Sequence, residues 1–220
     1  MNSLIKFPKK AFYGRVIPKN KIYEKASPSG RVKQLFVEQV ERIRWSYKLS
    51  PATINLPSSI DVDEIQVFTL DLRDERVNHD ILRTIDKAIP SSVIFILNYN
   101  GKLRYVASYK RTSEADKSKR VISGYFETEW INQDAEQSEM PMALNMDALY
   151  RALIKVIMPV SPRAQENMTA LIERMDRLRL CRREASRLKS RINKEKQFNR
   201  RVELNRRLKE ISAEIQGLKN

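Results

Sequence analysis

The sequence predicts an α+β fold: a central mixed, antiparallel-rich sheet with packed helices over residues 1–160, followed by a long basic C-terminal helix or helical hairpin over 161–220. Three observations carry that expectation. The runs Glu64 to Leu72 and Ser92 to Leu97 are apolar on both alternating sides, as strands covered on both faces are. An amphipathic helical pattern stands between them, and Asn98-Tyr99-Asn100-Gly101 follows the second with a hairpin signal. From Arg163 through Gln216 there is neither Gly nor Pro, so nothing forces a helix to stop.

In chain order, residues 12–26 read as a short extended piece and then a short helix after Pro18, closed by the turn chemistry of Ser27-Pro28-Ser29-Gly30. Val32, Leu35, Phe36, Val40 and Ile43 share one face of a helix predicted from Arg31 to Tyr47, and Leu49-Ser50-Pro51 stops it. Thr53 to Leu56 reads as a short strand. After the strand at 64–72, Ile81, Leu82, Ile85 and Ile89 give a helix its buried face and Pro90 closes it. Leu103, Tyr105, Ala107 and Tyr109 alternate on the strand returning from the hairpin. Val121 to Thr128 reads as a further strand, Asp134 to Glu139 as an acidic loop, and 145–158 as a helix with Leu149, Leu153 and Val156 inward.

The arm is expected to start at Ser161 as N-cap, with Pro162 having no amide hydrogen to lose. Met168, Leu171, Met175 and Leu178 form one apolar stripe, and Leu204, Leu208, Ile211, Ile215 and Leu218 another. The phase of the first is lost at Arg182. A phase break without Gly or Pro means either a stutter in a coiled coil or an antiparallel hairpin bending near Asn193 to Asn199. The continuous helix is the preferred expectation; unbroken, it would reach roughly 80 Å.

Charge is placed unevenly. The chain is +15 overall; residues 1–33 are net +8, residues 34–173 net −3, and Arg174 to Lys209 net +11. A basic rod on a mildly acidic body suggests a polyanion or an acidic protein as partner, against the plainer reading of a solvated helix face. A single cysteine, Cys181, excludes an internal disulfide and any multi-cysteine zinc site, and a single histidine, His79, excludes a His-rich metal centre. The five glycines form no phosphate-cradling loop. No run has the length of a membrane span and the start lacks the apolar core of a signal peptide, so a cytoplasmic location is expected.

Six words of the chain occur in a recognisable order: Pro18–Tyr23 (PKNKIY), Ile43–Leu49 (IRWSYKL), Glu64–Phe68 (EIQVF), Ile85–Pro90 (IDKAIP), Tyr109–Arg111 (YKR) and Lys196–Asn205 (KQFNRRVELN). Together they resemble the bacterial domain-of-unknown-function family 4391 over nearly the whole chain. That family has no established activity. Its members tend to sit beside helicase and DNA-methyltransferase genes in restriction-like, phage-defence loci. The resemblance therefore implies nucleic acid, DNA before RNA, or a helicase or methyltransferase subunit as partner, and it assigns no residue a role.

On the residues themselves, Arg182, Arg183, Arg187, Arg191, Lys194, Arg200, Arg201 and Arg207 are the candidates to follow a phosphate backbone. Lys19, Lys21 and Lys25, with Arg15, Arg31 and Lys33 flanking Tyr13 and Tyr23, form a second basic word that combines phosphate contacts with stacking. Together with the setting that the resemblance implies, these residues make a non-enzymatic accessory protein of a bacterial restriction-like, phage-defence or DNA-processing system the leading expectation, with no cofactor. One alternative is a metal-dependent nuclease on Glu41 (or Glu38), Asp63 beside Asp61, Glu64 and Lys110, where carboxylates would hold Mg²⁺ and the lysine would polarise the attacking water. Gln66 stands where such sites carry their lysine, and Lys110 would arrive from another strand. A second alternative is a homodimer whose arms pair as a coiled coil. Cys181 is expected to be an ordinary helix residue, His79 to be solvent-exposed, and Trp45 and Trp130 to anchor the core.

Overall fold

In the computed structural model, which describes residues 3–112 and 120–219, the chain divides into two compact units, Met1–Pro159 and Val160–Asn220. The first is α+β. Its chain order begins with β1 (Leu4–Lys6), a 3-10 turn (Lys9–Ala11), β2 (Phe12–Val16), α1 (Lys19–Ala26), α2 (Gly30–Gln39), β3 (Val40–Leu49), α3 (Pro51–Ile54) and β4 (Ile65–Leu72). It continues with α4 (His79–Ala88), β5 (Ser92–Tyr99), β6 (Lys102–Ala107), β7 (Lys110–Thr112), β8 (Arg120–Ile122), β9 (Phe126–Glu127), β10 (Ile131–Asn132), β11 (Gln137–Glu139) and α5 (Met146–Ile157).

The main sheet runs β10-β6-β5-β4-β3-β2, with β9 also beside β6. Only β4 and β5 are parallel, joined through α4; every other neighbour in this sheet is antiparallel. A parallel pair needs a crossover, and the amphipathic α4 supplies it: Ile81, Leu82 and Ile85 are fully buried against Phe68, Leu70, Phe95 and Leu97. Ile22 and Ala26 of α1 and Phe36 of α2 complete that core. The alternate residues of β4, Ile65, Val67 and Thr69, are buried too, so β4 is covered on both faces as its sequence predicts. The β5–β6 hairpin turns at Asn100 and Gly101, whose φ of 47° and 71° are the two positive values that a primed turn requires. Small parallel (β1–β11) and antiparallel (β7–β8) pairs flank the sheet. Ile5 N–H donates to Tyr105 Oη at 2.9 Å, which fastens β1, and burial raises that phenol to about 12.

Three local expectations are corrected. The helix predicted from Arg31 to Tyr47 ends at Gln39, and β3 begins at the next residue. Two bulges, between Val40 and Arg42 and between Trp45 and Tyr47, shift the β3–β4 register. As a result the buried residues of β3 (Val40, Ile43, Ser46, Leu49) recur every third position and imitate a helical stripe. The strand expected at Thr53 to Leu56 is instead the one-turn helix α3, where Ser50 and Thr53 form a capping box behind Pro51. The strand expected from Val121 to Thr128 is broken into β8 and β9.

The second unit is a helical hairpin. α6 (Met168–Lys194) and α7 (Phe198–Lys219) pack on each other through Cys181, Ala185, Leu188 and Ile211, with Leu204, Leu208, Ile215 and Leu218 against them. The preferred expectation of one continuous helix is therefore overturned in favour of the hairpin. The bend falls at Glu195-Lys196-Gln197, inside the stretch named for it, and needs no Gly or Pro because Glu195 Oε1 accepts the Gln197 N–H at 2.8 Å. Two ion pairs seven residues apart on each helix fix the antiparallel register: Arg177 with Glu214 at 2.5 Å and Arg207 with Glu184 at 3.3 Å. α6 also starts later than expected. Its N-cap is Asn167, whose side chain accepts from Ala170 N–H at 2.9 Å, and not Ser161. Among the described residues no helix is long and apolar enough to cross a membrane.

Candidate nucleic-acid interface

The hairpin sorts its charges along its length. The ion pairs of the hairpin lie away from its bend: Arg174 with Glu166, Arg177 with Glu214, Arg179 with Asp176, and Arg207 with Glu184 and Glu210, while Arg182, Arg183 and Lys209 form none with another described residue. Between Arg187 and Arg206 lie eight Lys/Arg and only two acids, Glu195 and Glu203. All eight cations are exposed, and none forms an ion pair with another described residue.

Helical spacing gives this cluster an ordered form. Arg183, Arg187, Arg191 and Lys194 follow at steps of four, four and three, which places them in one stripe of α6. At 1.5 Å per residue that stripe runs about 16 Å, a length over which duplex DNA carries about nine backbone charges. Lys196, Arg200 and Arg201 add the cations of the bend and of the first turn of α7, and Phe198 stands among them 69 % exposed. Arg182 is also exposed. Of the eight arm residues singled out from sequence, Arg207 alone is held in ion pairs among the described residues; the hydrogen bonds it donates to Glu184 push its guanidinium further up.

The N-terminal basic word is not one surface. Lys19 donates to the carbonyls of Phe36 (2.8 Å) and Val40 (2.5 Å), so it closes the carboxyl end of α2; burial, and then the nearby Arg73, lower its ammonium. Lys21 pairs with Glu24 at 3.0 Å, while Lys25 is exposed. Arg15 lies 4.8 Å over the Tyr13 ring, which itself packs 4.2 Å from Trp45, and Lys33 lies 5.7 Å from the Tyr23 ring centre. Tyr13 thus covers the edge strand of the sheet, and Tyr23 packs edge-on to Phe36 between α1 and α2.

The nuclease set is not assembled. Glu41 lies on β3, not on a helix, beside the Val40–Leu72 pairing, whereas Asp63 and Glu64 precede Ile65 at the opposite end of β4. Seven strand positions, about 23 Å, separate the two ends. Glu64 is held by Lys48 at 2.8 Å, Gln66 at 2.6 Å and Ser91 at 3.1 Å. The same Ser91 brings Lys110 near through its carbonyl, but Lys110 is a buried structural cation. Its Nζ meets Asp86 Oδ1 at 2.8 Å and donates to the carbonyls of Asp86, Ile89 and Ser91 at 2.9–3.1 Å. It thereby closes the carboxyl end of α4. Tyr125 Oη and Ser108 Oγ complete the buried acid's partners, and burial, then Asp86, raise the Tyr125 phenol. Among the described residues no cluster of three or more His, Cys, Asp or Glu side chains is placed to hold a metal ion.

Two features escape a reading of the sequence. Arg174, in the apolar stripe between Leu171 and Leu178, is a buried residue that knots the open end of the hairpin; its only signal is a charged residue at a core spacing. His79 and Trp130 line a cleft of about 370 Å³ with Arg76, Leu97, Arg104 and Glu127. His79 opens α4, half-buried and edge-on to Tyr125 at 5.3 Å, where exposure is expected from its polar context. Trp45 and Trp130 are half-buried and border the core. Cys181 is buried between the two arm helices, and burial, then Glu214, push its thiol up rather than down.

A family model described as a domain of unknown function, family 4391, matches residues 5–215. No curated protein and no solved structure matches the chain.

Proposed function

This chain belongs to the domain-of-unknown-function family 4391, a family described by no activity, and we propose that it is a nucleic-acid-binding accessory protein that contacts phosphate backbones, DNA before RNA, through the bend of its helical hairpin. The observation that supports this is the segregation of charge within one small unit: its ion pairs all lie outside Arg187–Arg206, and the eight exposed cations of that stretch have no ion-pair partner among the described residues. A helix kept soluble by charge alone has no need to exclude acids from one end. Preformed helices hold the backbone positions of the cations, so no backbone ordering is needed when phosphates replace their counterions. In the setting that the family resemblance implies, such a contact would hold a DNA-processing assembly on its substrate.

The experiment is a titration of labelled duplex DNA of mixed sequence with the full chain at about 50 and about 200 mM salt. Neutralising roughly five phosphates would weaken binding on the order of 10²–10³-fold between the two. Absence of binding at the lower salt removes the reading, and capture of an acidic protein by the same residues would replace it.

A further inference from the structure

We propose that the cleft at the carboxyl ends of β4 and β5 binds a phosphate ester of nucleotide size. The loop leaving β4 supplies Arg76, the first turn of α4 supplies His79, Leu97 near the end of β5 forms the floor, and its register partner Arg104 comes from β6. In an open sheet, loops at the carboxyl ends of parallel strands part around a crevice, and this one joins five segments of the chain. Its volume of about 370 Å³ lies within the usual range for small-ligand sites.

The chemistry of the lining selects the ligand. Two guanidinium groups and the chain's sole imidazole converge on it, and a guanidinium fork matches phosphate oxygens in pairs. The Arg104 guanidinium carbon lies over the Trp130 ring, 4.5 Å from its centre, and its one ion pair among the described residues, to Glu127, is a long 3.4 Å. The Nε of Arg104 and the Nε1 of Trp130 are both shielded from water and have no acceptor among the described residues. Trp130 offers apolar surface to a base or sugar, and Glu75 and Glu127 offer acceptors to ribose hydroxyls.

Free nucleotides and the phosphorylated end of a strand share this chemistry, and the test separates them. His79 gives the only imidazole resonance of the chain, and Trp130 one of two indole N–H resonances. The full chain is titrated with AMP to about 1 mM, and separately with one oligonucleotide bearing either a 5′-phosphate or a 5′-hydroxyl. Saturable shifts of both reporters with AMP, weakened at least tenfold by Arg76→Ala, support a free nucleotide as ligand. Shifts with the 5′-phosphorylated strand alone, weakened likewise, support a strand end. Silence of both reporters under every ligand overturns the proposal, and so do shifts that Arg76→Ala leaves unchanged. Both reporters belong to the α+β body, so this outcome is independent of whether the hairpin binds DNA.

Discussion

Arg174 and Glu166 meet through two parallel hydrogen bonds, Nε to Oε1 and Nη2 to Oε2, each 2.7 Å long, with side-chain exposures of 5 % and 8 %. The same guanidinium donates to the carbonyls of Leu218 at 2.7 Å and Ser161 at 2.9 Å. One side chain thus ties the segment entering α6 to the end of α7. A buried guanidinium with every acceptor in place is structural, so the arm contains two kinds of arginine: one that joins its helices, and the exposed ones around the bend.

The pair makes the hairpin sensitive to acid. Hydrogen bonds from Arg174 hold the Glu166 carboxyl down at about 2. In the unfolded chain the group titrates near its ordinary value of about 4.3. Because the folded value is the lower one, the stabilisation is complete above about pH 4.5 and is lost as pH falls toward 2. It amounts to on the order of 3 kcal/mol. Denaturation of the parent and of Glu166→Gln at pH 6 and pH 2 should show a gap at the first pH that closes at the second.

Lys110 should matter to stability and not to hydrolysis. Its side chain and that of Asp86 are 2 % and 0 % exposed, so Lys110→Met leaves a buried carboxylate without its cation. Urea denaturation should show a loss of about 3–5 kcal/mol, and Asp86→Leu combined with Lys110→Met should recover much of it. A double variant no better than the single one would contradict the ion-pair account.

Removing Arg187, Arg191 and Lys194 together, each to Ala, should lower the slope of log affinity against log salt by about 2–3 with duplex DNA. Helical circular dichroism should not change, because all three are exposed. The matching triple at Lys6, Lys21 and Arg83, which are paired with Glu139, Glu24 and Asp80, should leave the slope where it was.

Cys181 offers a probe of hairpin opening. It is 3 % exposed, and burial followed by its contact with Glu214 raises the thiol, so less thiolate is present at a given pH than in the open chain. Alkylation at pH 8 should be slow in the native protein and fast in denaturant, with the native rate tracking local unfolding. Equal rates in the two states would show that α6 and α7 do not shield it.

Much of this was legible from residue patterns. β4, β5, α4, α5 and the Asn100–Gly101 turn were readable because each follows one periodicity or one turn chemistry. β3 was not, since its two bulges replace a period of two by a period of three. The hairpin was obscured by the small residues Cys181 and Ala185, which carry the apolar phase of α6 past Arg182 without looking like core. Among candidate site residues, the arm cations were nominated from charge density alone, and the structure separates Arg207 from the others because its partners lie on both helices. The structural contacts of Lys19 are not legible in the sequence, because a lysine in a basic word gives no hint that two carbonyls await it. The cleft of Arg76, His79, Arg104 and Trp130 left no trace in any local pattern, as its members meet only once the sheet has formed.

The clasp of Lys110 on α4 also constrains the order in which a growing chain can settle. The residue lies 24 positions beyond Asp86, 21 beyond Ile89 and 19 beyond Ser91, whose carbonyls it closes. A nascent polypeptide halted after β5 would carry that helix with its terminal oxygens bare and a carboxylate sealed in without a counter-charge. The parallel β-α-β unit, the most regular part of the molecule, therefore becomes final only when translation has delivered the strand pair that follows it.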